Sequence, residues 1–596
     1  MERLTEEKDS ILSLVKSPYI RSFIKKYKLG YIIGALFLIL IDYLQTRIPI
    51  IIGNVIDGLE KNNISIDEIG NKAITLAIVA AVIILGRILW RLLIFGAARK
   101  IERDIRNDLF EHLEKLSQTY FNNNKTGEIM AYVTNDLEAV RQAMAMGVLM
   151  VFDVAALLMF TLYNMVTEIN ISLTIAAVIP LVFIALVTSK LGPTLFRKFA
   201  SRQDAFAKVS DFVQEDLSGI KVIKAFVQQE KEIEAFEKVN HNYFKENMNL
   251  MKMYAAMNPV MTSIAGAAMA VAISYGGYIT VNGAITVGNF VAFLQFLGML
   301  VWPMMAIGMT INIITMGSAS LKRIESVLHQ KVEIYDSDNA KSLDNFEGSI
   351  KFNNLSYKYP ETDTYALENI SFEVKRGETL GIVGRTGSGK TTLVNLLLRL
   401  YNVDKNSIFI SGTDIMDIPL KTLRENIGYV PQDNFLFSDT IKNNIDFSDG
   451  NLSMDKVISA AEFACVHDNI EDFKESYGTI VGERGVTLSG GQKQRVSMAR
   501  ALIKEPEILI LDDSVSAVDT DTEEKILNNL EKQRSGKTNI IIAHRISTIQ
   551  HADHIIVIDE GKLIEQGNHD QLVANNGLYN SLYQKQLLEK MIDEEA

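Results

Sequence analysis

Cysteine is almost absent from this chain, since Cys465 is the single cysteine among 596 residues. One cysteine cannot form an intrachain disulfide, and it cannot build a thiolate metal cluster. The chain also lacks a basic excess: 72 acidic side chains outnumber 60 basic ones, and the formal net charge is -12. Because nucleic-acid binding depends on basic patches that neutralise phosphates, the composition excludes nucleic acid as an expected partner.

The N-terminus lacks the short apolar core and small-residue cleavage site of a secretory signal peptide. It is charged from Glu2 to Lys8, and Arg21, Lys25 and Lys28 lie close to the first apolar run. We therefore expect residues 1–28 to form a cytoplasmic segment, whose later part from Ser17 is amphipathic and follows the membrane surface.

Long apolar runs are abundant in the first half of the chain. Each is about the 20 residues that a helix needs to cross a bilayer. Six in succession favour membrane helices over buried helices of a soluble domain and predict a six-helix membrane domain over residues 29–325. The runs are Gly30–Ile56, Ala73–Ile94, Met144–Val166, Ile171–Leu191, Met257–Val281 and Phe290–Ile314.

The connections between these runs alternate in length and charge. Asp57–Gly70 is acidic, whereas the long segments Ala97–Arg141 and Lys198–Lys252 are helical in pattern and rich in Lys and Arg. The positive-inside rule places the basic segments and the N-terminus in the cytoplasm. We expect the membrane helices to continue into the cytoplasm there.

Each cytoplasmic extension contains one predicted helix break, at Tyr120–Glu128 and at Leu217–Gly219. These breaks are either docking points for another domain or ordinary solvated turns. Two carboxylates, Asp42 and Asp153, lie inside apolar spans, where a charge is costly. Asp42 faces either a polar cavity or an ion-pair partner, for which Arg47 is one candidate.

The apolar runs stop after Ile324, and the composition changes. Residues 326–347 are predicted to be a polar linker. Beyond it, short β-type runs alternate with helical patterns, so residues 348–596 are predicted to form an α/β nucleotide-binding domain.

A phosphate-binding loop lies within this second domain. The segment fits G-x-x-x-x-G-K-[ST], with an apolar strand before it and a helical pattern after it. Its glycines let backbone N–H groups reach phosphate oxygens, Lys390 is expected to reach the β- and γ-phosphates, and the Thr391 hydroxyl is expected to bind Mg²⁺. The predicted ATP-binding residues of this loop are Gly384, Arg385, Thr386, Gly387, Ser388, Gly389, Lys390, Thr391 and Thr392.

Two further segments belong with this loop. The apolar strand Ile508–Leu511 ends in Asp512, a suitable ligand for Mg²⁺ beside the phosphates. Leu488–Gln492 precedes a helix. The N-terminus of that helix is a second anion-binding site in the same domain, and no phosphate group is evident for it.

Together these motifs resemble the ATP-binding cassette (ABC) family, and six spans followed by one cassette resemble the half-transporters of the type IV exporter arrangement. The resemblance covers nearly the whole chain. It implies that two cassettes enclose two ATP molecules with Mg²⁺, and that each site combines the phosphate loop of one cassette with Ser489, Gly490, Gly491 and Gln492 of the other.

The resemblance also implies roles for single residues. Tyr359 matches the aromatic residue that stacks on adenine, Gln432 the glutamine that contacts Mg²⁺, and His544 the γ-phosphate histidine. Ser516–Asp519 matches the loop that crosses between the two sites, and Thr479–Gly485 resembles the exporter loop that touches the membrane domain.

One residue departs from the family pattern. The residue after Asp512 is normally a glutamate that polarises the attacking water, and here it is Asp513. Aspartate is one methylene shorter, and a positioned base contributes roughly 10²–10⁴-fold, so hydrolysis at this chain's own loop is expected to be weak. Asp513, His544 and Gln432 remain the candidate catalytic residues.

This asymmetry resembles one half of the heterodimeric bacterial multidrug exporters. We therefore expect a multi-pass inner-membrane protein that exports small amphipathic or lipid-like compounds together with a second half-transporter, in contact with membrane lipids. The partner is expected to carry the catalytic glutamate and an altered signature. A homodimeric lipid or peptide exporter and an ATP-binding regulatory or channel-like subunit remain the alternatives. A peptide exporter that processes its cargo usually carries an N-terminal cysteine protease domain, and we expect none in this chain.

Overall fold

The computed structural model describes residues 16–337, 340, 343, 346–360, 362–447, 452–482, 485 and 487–595. Predictions for residues 1–15, for Glu483 and Arg484, and for six positions of the linker (338–339, 341–342, 344–345) lie outside these residues. The chain forms two compact units. One contains the chain up to Glu114 and Thr126–Gln330, and the other contains Lys115–Lys125 and the chain from Lys331 onward.

All regular secondary structure in the described residues of the first unit is helical. Six of its helices are long and apolar enough to cross a membrane, which confirms the predicted six-span domain. Every predicted apolar run lies inside one of them. Numbered along the chain, with the short helix α4 belonging to the second unit, the helices are α1 Pro18–Lys26, α2 Lys28–Glu60, α3 Ile66–Lys115, α4 Gln118–Asn123, α5 Thr126–Ile169, α6 Ile171–Ser218, α7 Ile220–Ala225, α8 Gln229–Val281 and α9 Val287–Leu328.

Local side-chain hydrogen bonds explain where several of these helices begin. The Asn170 side chain accepts a hydrogen bond from the Leu173 N–H at the start of α6, and Thr286 accepts one from the Asn289 N–H at the start of α9. Such caps satisfy N–H groups that have no partner inside the helix. The predicted cytoplasmic breaks are confirmed, since α6 ends at Ser218 and α4 ends at Asn123.

Charged side chains join the cytoplasmic parts of the first unit. Asp136 of α5 accepts hydrogen bonds from Arg323 and Ser320 of α9. Asp104 of α3 accepts hydrogen bonds at 2.7 Å from Lys26 and from the Tyr27 hydroxyl, which follows α1. The amphipathic helix α1 and the residue after it are therefore joined to α3 by partly buried, charge-assisted hydrogen bonds.

The ion pair considered between Asp42 and Arg47 is not formed. Asp42 is buried in α2, and its Oδ2 has no hydrogen-bond partner among the described residues. The Arg47 guanidinium lies instead over the Tyr43 ring, 4.8 Å from its centroid. Residues five positions apart point to different sides of a helix, whereas residues four apart share a side, and this geometry favours the contact with Tyr43.

The second unit is built on two sheets, as the α/β prediction requires. A four-stranded antiparallel sheet has the order β2-β1-β4-β5, and a six-stranded sheet has the order β10-β9-β3-β8-β7-β6. Strands β9, β3, β8, β7 and β6 are mutually parallel. The strands are β1 Ile350–Tyr357, β2 Leu367–Val374, β3 Thr379–Val383, β4 Ile408–Ile410, β5 Thr413–Asp414, β6 Ile427–Val430, β7 Ile508–Asp512, β8 Thr538–Ile542, β9 His554–Asp559 and β10 Lys562–Gly567.

Helices cover both faces of the parallel sheet, and strands β7 and β8 are buried along their whole length. Continuous burial explains why these strands are runs of isoleucine and leucine without alternation. The helices of this unit are α10 Lys390–Leu397, α11 Leu420–Glu425, α12 Ile441–Ile445, α13 Met454–Phe463, α14 His467–Glu471, α15 Gly490–Leu502, α16 Thr520–Gln533, α17 Ile546–Ile549, α18 His569–Ala574 and α19 Leu578–Glu595.

The segment that follows α9 is held on the second unit by a buried arginine. Arg399 is fully buried, and its guanidinium donates to the carbonyls of Tyr335 at 3.0 Å, Ile418 at 3.0 Å and Ile415 at 3.3 Å. The Asp336 carboxylate accepts a hydrogen bond from the Leu420 N–H at 2.7 Å. The polar segment predicted to be a linker thus has specific contacts at its beginning.

Candidate nucleotide site

The topology of the parallel sheet brings the predicted site residues to one edge. Parallel strands end at the same side of a sheet, and ligands of open α/β sheets bind there. The phosphate loop follows β3, Asp512 ends β7, and His544 lies two residues after β8. Gln432 lies two residues after β6, the neighbour of β7, and it is exposed to solvent. Residues far apart in sequence therefore share one edge.

The phosphate loop turns sharply into α10 at Gly389. This residue has φ +104, and a Cβ there would lie 2.7 Å from the Ala366 carbonyl oxygen. Only glycine fits that backbone without strain. At Gly387 (φ +80) a Cβ would meet nothing within 4 Å, so the loop borders open space. A tight backbone turn beside free volume at a helix N-terminus is suited to a phosphate group.

Lys390 is folded over this loop. Its ammonium donates to the carbonyl of Gly384 at 2.9 Å and to that of Arg385 at 2.8 Å. Burial lowers the pKa of Lys390, and the neighbouring carboxylates of Asp512 and Asp513 act in the opposite direction. The ammonium group of Lys390 thus lies inside the loop and is hydrogen-bonded to neutral carbonyls. An anionic ligand would form a stronger, charge-assisted hydrogen bond with it.

Asp512 and Thr391 form the candidate metal position. Burial raises the pKa of Asp512, and a hydrogen bond from the Thr391 side chain opposes this effect. The Asp512 carboxylate is 2% exposed, and its Oδ2 has no hydrogen-bond partner among the described residues. Mg²⁺ prefers a carboxylate and hydroxyl oxygens of this kind. The orphan oxygen therefore fits a divalent cation, with Gln432 at the same sheet edge as a third candidate ligand.

Asp513 has an unusual backbone. Its φ is +47, its N–H donates to the Ile542 carbonyl of β8 at 2.9 Å, and its own carbonyl accepts a hydrogen bond from Ser516 Oγ at 3.0 Å. Aspartate enters this left-handed region more readily than most residues. Asp513, His544 and Lys390 all interact electrostatically with Asp512, so the structure brings these four residues together.

The aromatic residue predicted for adenine lies beside the phosphate loop. The hydroxyl groups of Tyr359 and Thr392 are 3.1 Å apart, at hydrogen-bonding distance. The Tyr359 ring packs edge-to-face against Tyr357 and Tyr401, with centroids 5.2 Å and 5.1 Å away. These contacts fix the ring close to the loop that is expected to hold the phosphates. At the other end of the loop, Arg385 lies 3.9 Å from Asp559.

The signature segment starts helix α15. The Gln492 N–H donates to Ser489 Oγ at 3.3 Å, and the Ser489 N–H donates to Gln492 Oε1 at 2.9 Å, a reciprocal capping box. Gln494 of the same helix accepts a hydrogen bond from the Ala517 N–H at 3.2 Å. The start of α15 is thereby packed against the Ser516–Asp519 loop, while Ser489 and Gly490 stay exposed.

One supporting residue was missed by the sequence analysis. Gln586 in helix α19 donates to the His544 carbonyl at 2.7 Å and accepts a hydrogen bond from the Ile546 N–H at 2.8 Å. It therefore holds the backbone that carries His544. A glutamine within a long polar helix gives no sequence signal for such a role.

Comparisons with known proteins agree with this architecture. Residues 31–304 match the family model described as ABC transporter transmembrane region, and residues 367–516 match the model described as ABC transporter. The chain is 38% identical over 566 residues to a probable multidrug resistance ABC transporter ATP-binding/permease protein of Bacillus subtilis, with 95% of this chain and 97% of the relative covered.

Two further matches have similar extent. A multidrug resistance-like ATP-binding protein of Escherichia coli is 36% identical over 564 residues, which are 95% of each chain. Among solved structures, a bacterial Atm1-family ABC exporter with ATP bound superimposes with a TM-score of 0.78 at 27% identity, covering 94% of this chain and 98% of that one. The matches therefore span both units of the chain.

Proposed function

The chain belongs to the ABC transporter family, and from that premise we propose that it is one half of an asymmetric exporter of amphipathic compounds. Six membrane helices and an ATP-binding domain make it a multi-pass inner-membrane protein that couples ATP hydrolysis to transport, with the ATP-binding domain in the cytoplasm. The relatives described as multidrug resistance proteins support amphipathic drugs or lipid-like molecules as cargo.

The observation that carries the asymmetry is Asp513. It follows Asp512 in an otherwise complete set of motifs, and its shorter side chain stands back from the position that a catalytic glutamate would reach. Nucleotide binding depends on other residues, including Lys390 and Tyr359. We assign this chain's own phosphate loop to a site that binds ATP and hydrolyses it slowly, and its signature to the hydrolytic site of the partner.

The residues of this chain then divide by role. The loop from Gly384 to Thr392 and Tyr359 bind ATP, and Thr391, Asp512 and Gln432 would hold Mg²⁺. When bound, Mg²⁺ neutralises charge on the β- and γ-phosphates. Lys390 leaves its two carbonyl partners for phosphate oxygens, and His544 approaches the γ-phosphate. Ser489–Gln492 supplies N–H groups to the ATP held by the second half-transporter.

Several exposed apolar side chains support the transmission of conformational change between the membrane helices and the cassettes. Leu217, Val222, Phe226 and Val227 around α7 are all more than half exposed. Such residues at a cytoplasmic helix break fit a docking contact with the partner's cassette. The second break, at α4, belongs to this chain's own second unit.

The test is ATP turnover and drug transport by the chain alone and with the half-transporter encoded beside it. In the pair, Asp513→Asn should change turnover by less than about threefold because this base is already misaligned. Gly490→Asp should abolish turnover, since its carboxylate would repel the partner's ATP. A Cβ at Gly490 meets only Ala517 Cβ at 4.0 Å, so this chain should still fold.

Asp472→Asn, an exposed acidic position in the same domain, serves as the control. Full turnover by the chain alone that is lost in Asp513→Asn would refute the asymmetric assignment and favour a homodimer. ATP binding without transport in any combination would favour a regulatory subunit.

A further inference from the structure

Within the second unit, the short helix α4 contacts a tyrosine that the sequence analysis did not identify. The Asn122 side-chain amide donates to the Tyr401 hydroxyl at 3.1 Å. Tyr401 lies four residues beyond the end of α10 and is only 6% exposed. A hydrogen bond between an exposed helix and a buried ring is directional, so the position of one group restricts the other.

The other side of the Tyr401 ring contacts the candidate adenine site. Its plane is nearly perpendicular to that of Tyr359, at 87°, with the centroids 5.1 Å apart. Tyr359 in turn hydrogen-bonds Thr392 of the phosphate loop. Asn122, Tyr401, Tyr359 and Thr392 thus form a continuous series of contacts from α4 to the nucleotide site.

A second contact holds the same part of the chain. Ser117, just before α4, donates to the Glu333 carboxylate at 2.6 Å. Asn402, the neighbour of Tyr401, donates to the Glu333 backbone carbonyl at 2.8 Å. The segment 117–122 is therefore held at two points, by Tyr401 itself and by Glu333, which also binds the neighbour of Tyr401.

We propose that Tyr401 is a positioning residue that transmits occupancy of the adenine site to α4. This inference rests on the proposed function, because it takes Tyr359 as the adenine contact. Adenine stacked on Tyr359 would limit the orientations of that ring, and an edge-to-face neighbour must adjust with it. The hydrogen bond between the Tyr401 hydroxyl and the Asn122 side chain would then change. Two residues join α4 to α3 and two join it to α5, so the change would reach two membrane helices.

Hydrogen exchange measured on the full chain with its partner half tests this link. The non-hydrolysable nucleotide AMP-PNP with Mg²⁺ should slow exchange of the peptide 117–125 in the native protein. Tyr401→Phe removes only the hydroxyl, so AMP-PNP affinity should stay within about threefold while the slowing falls about fivefold, the effect of one hydrogen bond. Asn122→Ala should give the same loss, and the double variant should add nothing to it.

Tyr335→Phe is the matched control, because Tyr335 is 66% exposed and contacts Arg399 through its carbonyl only. Full AMP-PNP-dependent protection in Tyr401→Phe, equal loss in Tyr335→Phe, or no effect of AMP-PNP on 117–125 in the native protein would each overturn the link. Nucleotide binding that is insensitive to both Lys390→Ala and Tyr359→Leu would instead refute the proposed function. Intact binding and transport with an unresponsive α4 would refute the Tyr401 link alone.

Discussion

The carboxylate of Asp57, at the end of α2, accepts a hydrogen bond from the Gly288 N–H at 2.6 Å, although 231 residues separate the two. Its second oxygen accepts a hydrogen bond from the Thr286 hydroxyl, also at 2.6 Å. Asp57 therefore caps the N-terminus of α9, where a negative charge is favourable. The backbones approach so closely that a Cβ at Gly288 would lie 2.0 Å from the Gly53 carbonyl oxygen.

This contact predicts that Gly288→Ala destabilises the membrane unit. The added methyl group would force α2 and α9 apart and weaken the Asp57 cap, at a cost of about 1–3 kcal/mol. Gly298→Ala in the same helix is the control, because a Cβ there meets nothing within 4 Å. The melting temperature of the purified protein, monitored by the loss of its monodisperse chromatography peak, should fall for Gly288→Ala only. Equal melting of both variants would contradict the close approach.

A second prediction concerns the residue that departs from the family pattern. Asp513→Glu should raise hydrolysis at this chain's phosphate loop, because the longer side chain reaches the position of a general base. A gain of at least about tenfold is expected, from the roughly 10²–10⁴-fold that a positioned base contributes. The measurement is ATP turnover of the proposed pair, after the catalytic glutamate expected in the partner has been replaced by glutamine. An unchanged rate would mean that alignment of the loop, not side-chain length, limits this site.

The buried carboxylate of Asp512 is predicted to lower the stability of the empty protein at neutral pH, although metal binding requires it. Because burial raises its pKa above the ordinary 3.8, the folded protein binds this proton more tightly than the unfolded chain. The contribution of Asp512 to stability is therefore complete below 3.8 and is lost as the pH rises through the raised pKa. Without nucleotide, Asp512→Asn should melt higher than the native protein near pH 7, and the difference should shrink as the pH falls.

The same variant should lose the stabilisation that Mg²⁺ and ATP give to the native protein, because the orphan oxygen is the proposed ligand. Asp472→Asn, at an exposed position, should follow the native protein under all conditions. Thermal melting at several pH values, with and without Mg²⁺ and ATP, makes the comparison. A lower melting temperature for Asp512→Asn at pH 7 without nucleotide would show that the carboxylate stabilises the empty site.

The buried Arg399 predicts a large structural effect that does not depend on nucleotide binding. Arg399→Ala would leave the carbonyls of Tyr335, Ile415 and Ile418 without their donor, which should cost about 3 kcal/mol. Proteolysis should then cut the segment 331–337 faster. Arg376→Ala, at an exposed position, is the control and should leave both melting and proteolysis unchanged. Resistance of the segment in Arg399→Ala would show that other contacts hold it.

The sequence by itself determined the architecture and indicated the residues of the candidate site. Apolar runs of this length predict membrane-spanning segments, and these must be helices because backbone polar groups have to be paired inside the bilayer. The glycine pattern before Lys390 and the acid at the end of a buried strand are local requirements of phosphate and metal binding. Asp513 is visible in the sequence too, because the departure is a change of residue type at a motif position. Such features depend on neighbours within a few residues.

Tertiary structure decided which distant residues meet. Asp57 and Gly288, Gln586 and His544, and Asn122 and Tyr401 are joined by single hydrogen bonds across 231, 42 and 279 positions, and no local pattern marks them as pairs. The rejected pair of Asp42 with Arg47 shows the same limit, because helix geometry turned Arg47 toward Tyr43 instead. Long-range hydrogen bonds depend on how helices and strands pack, and packing reflects the whole chain at once.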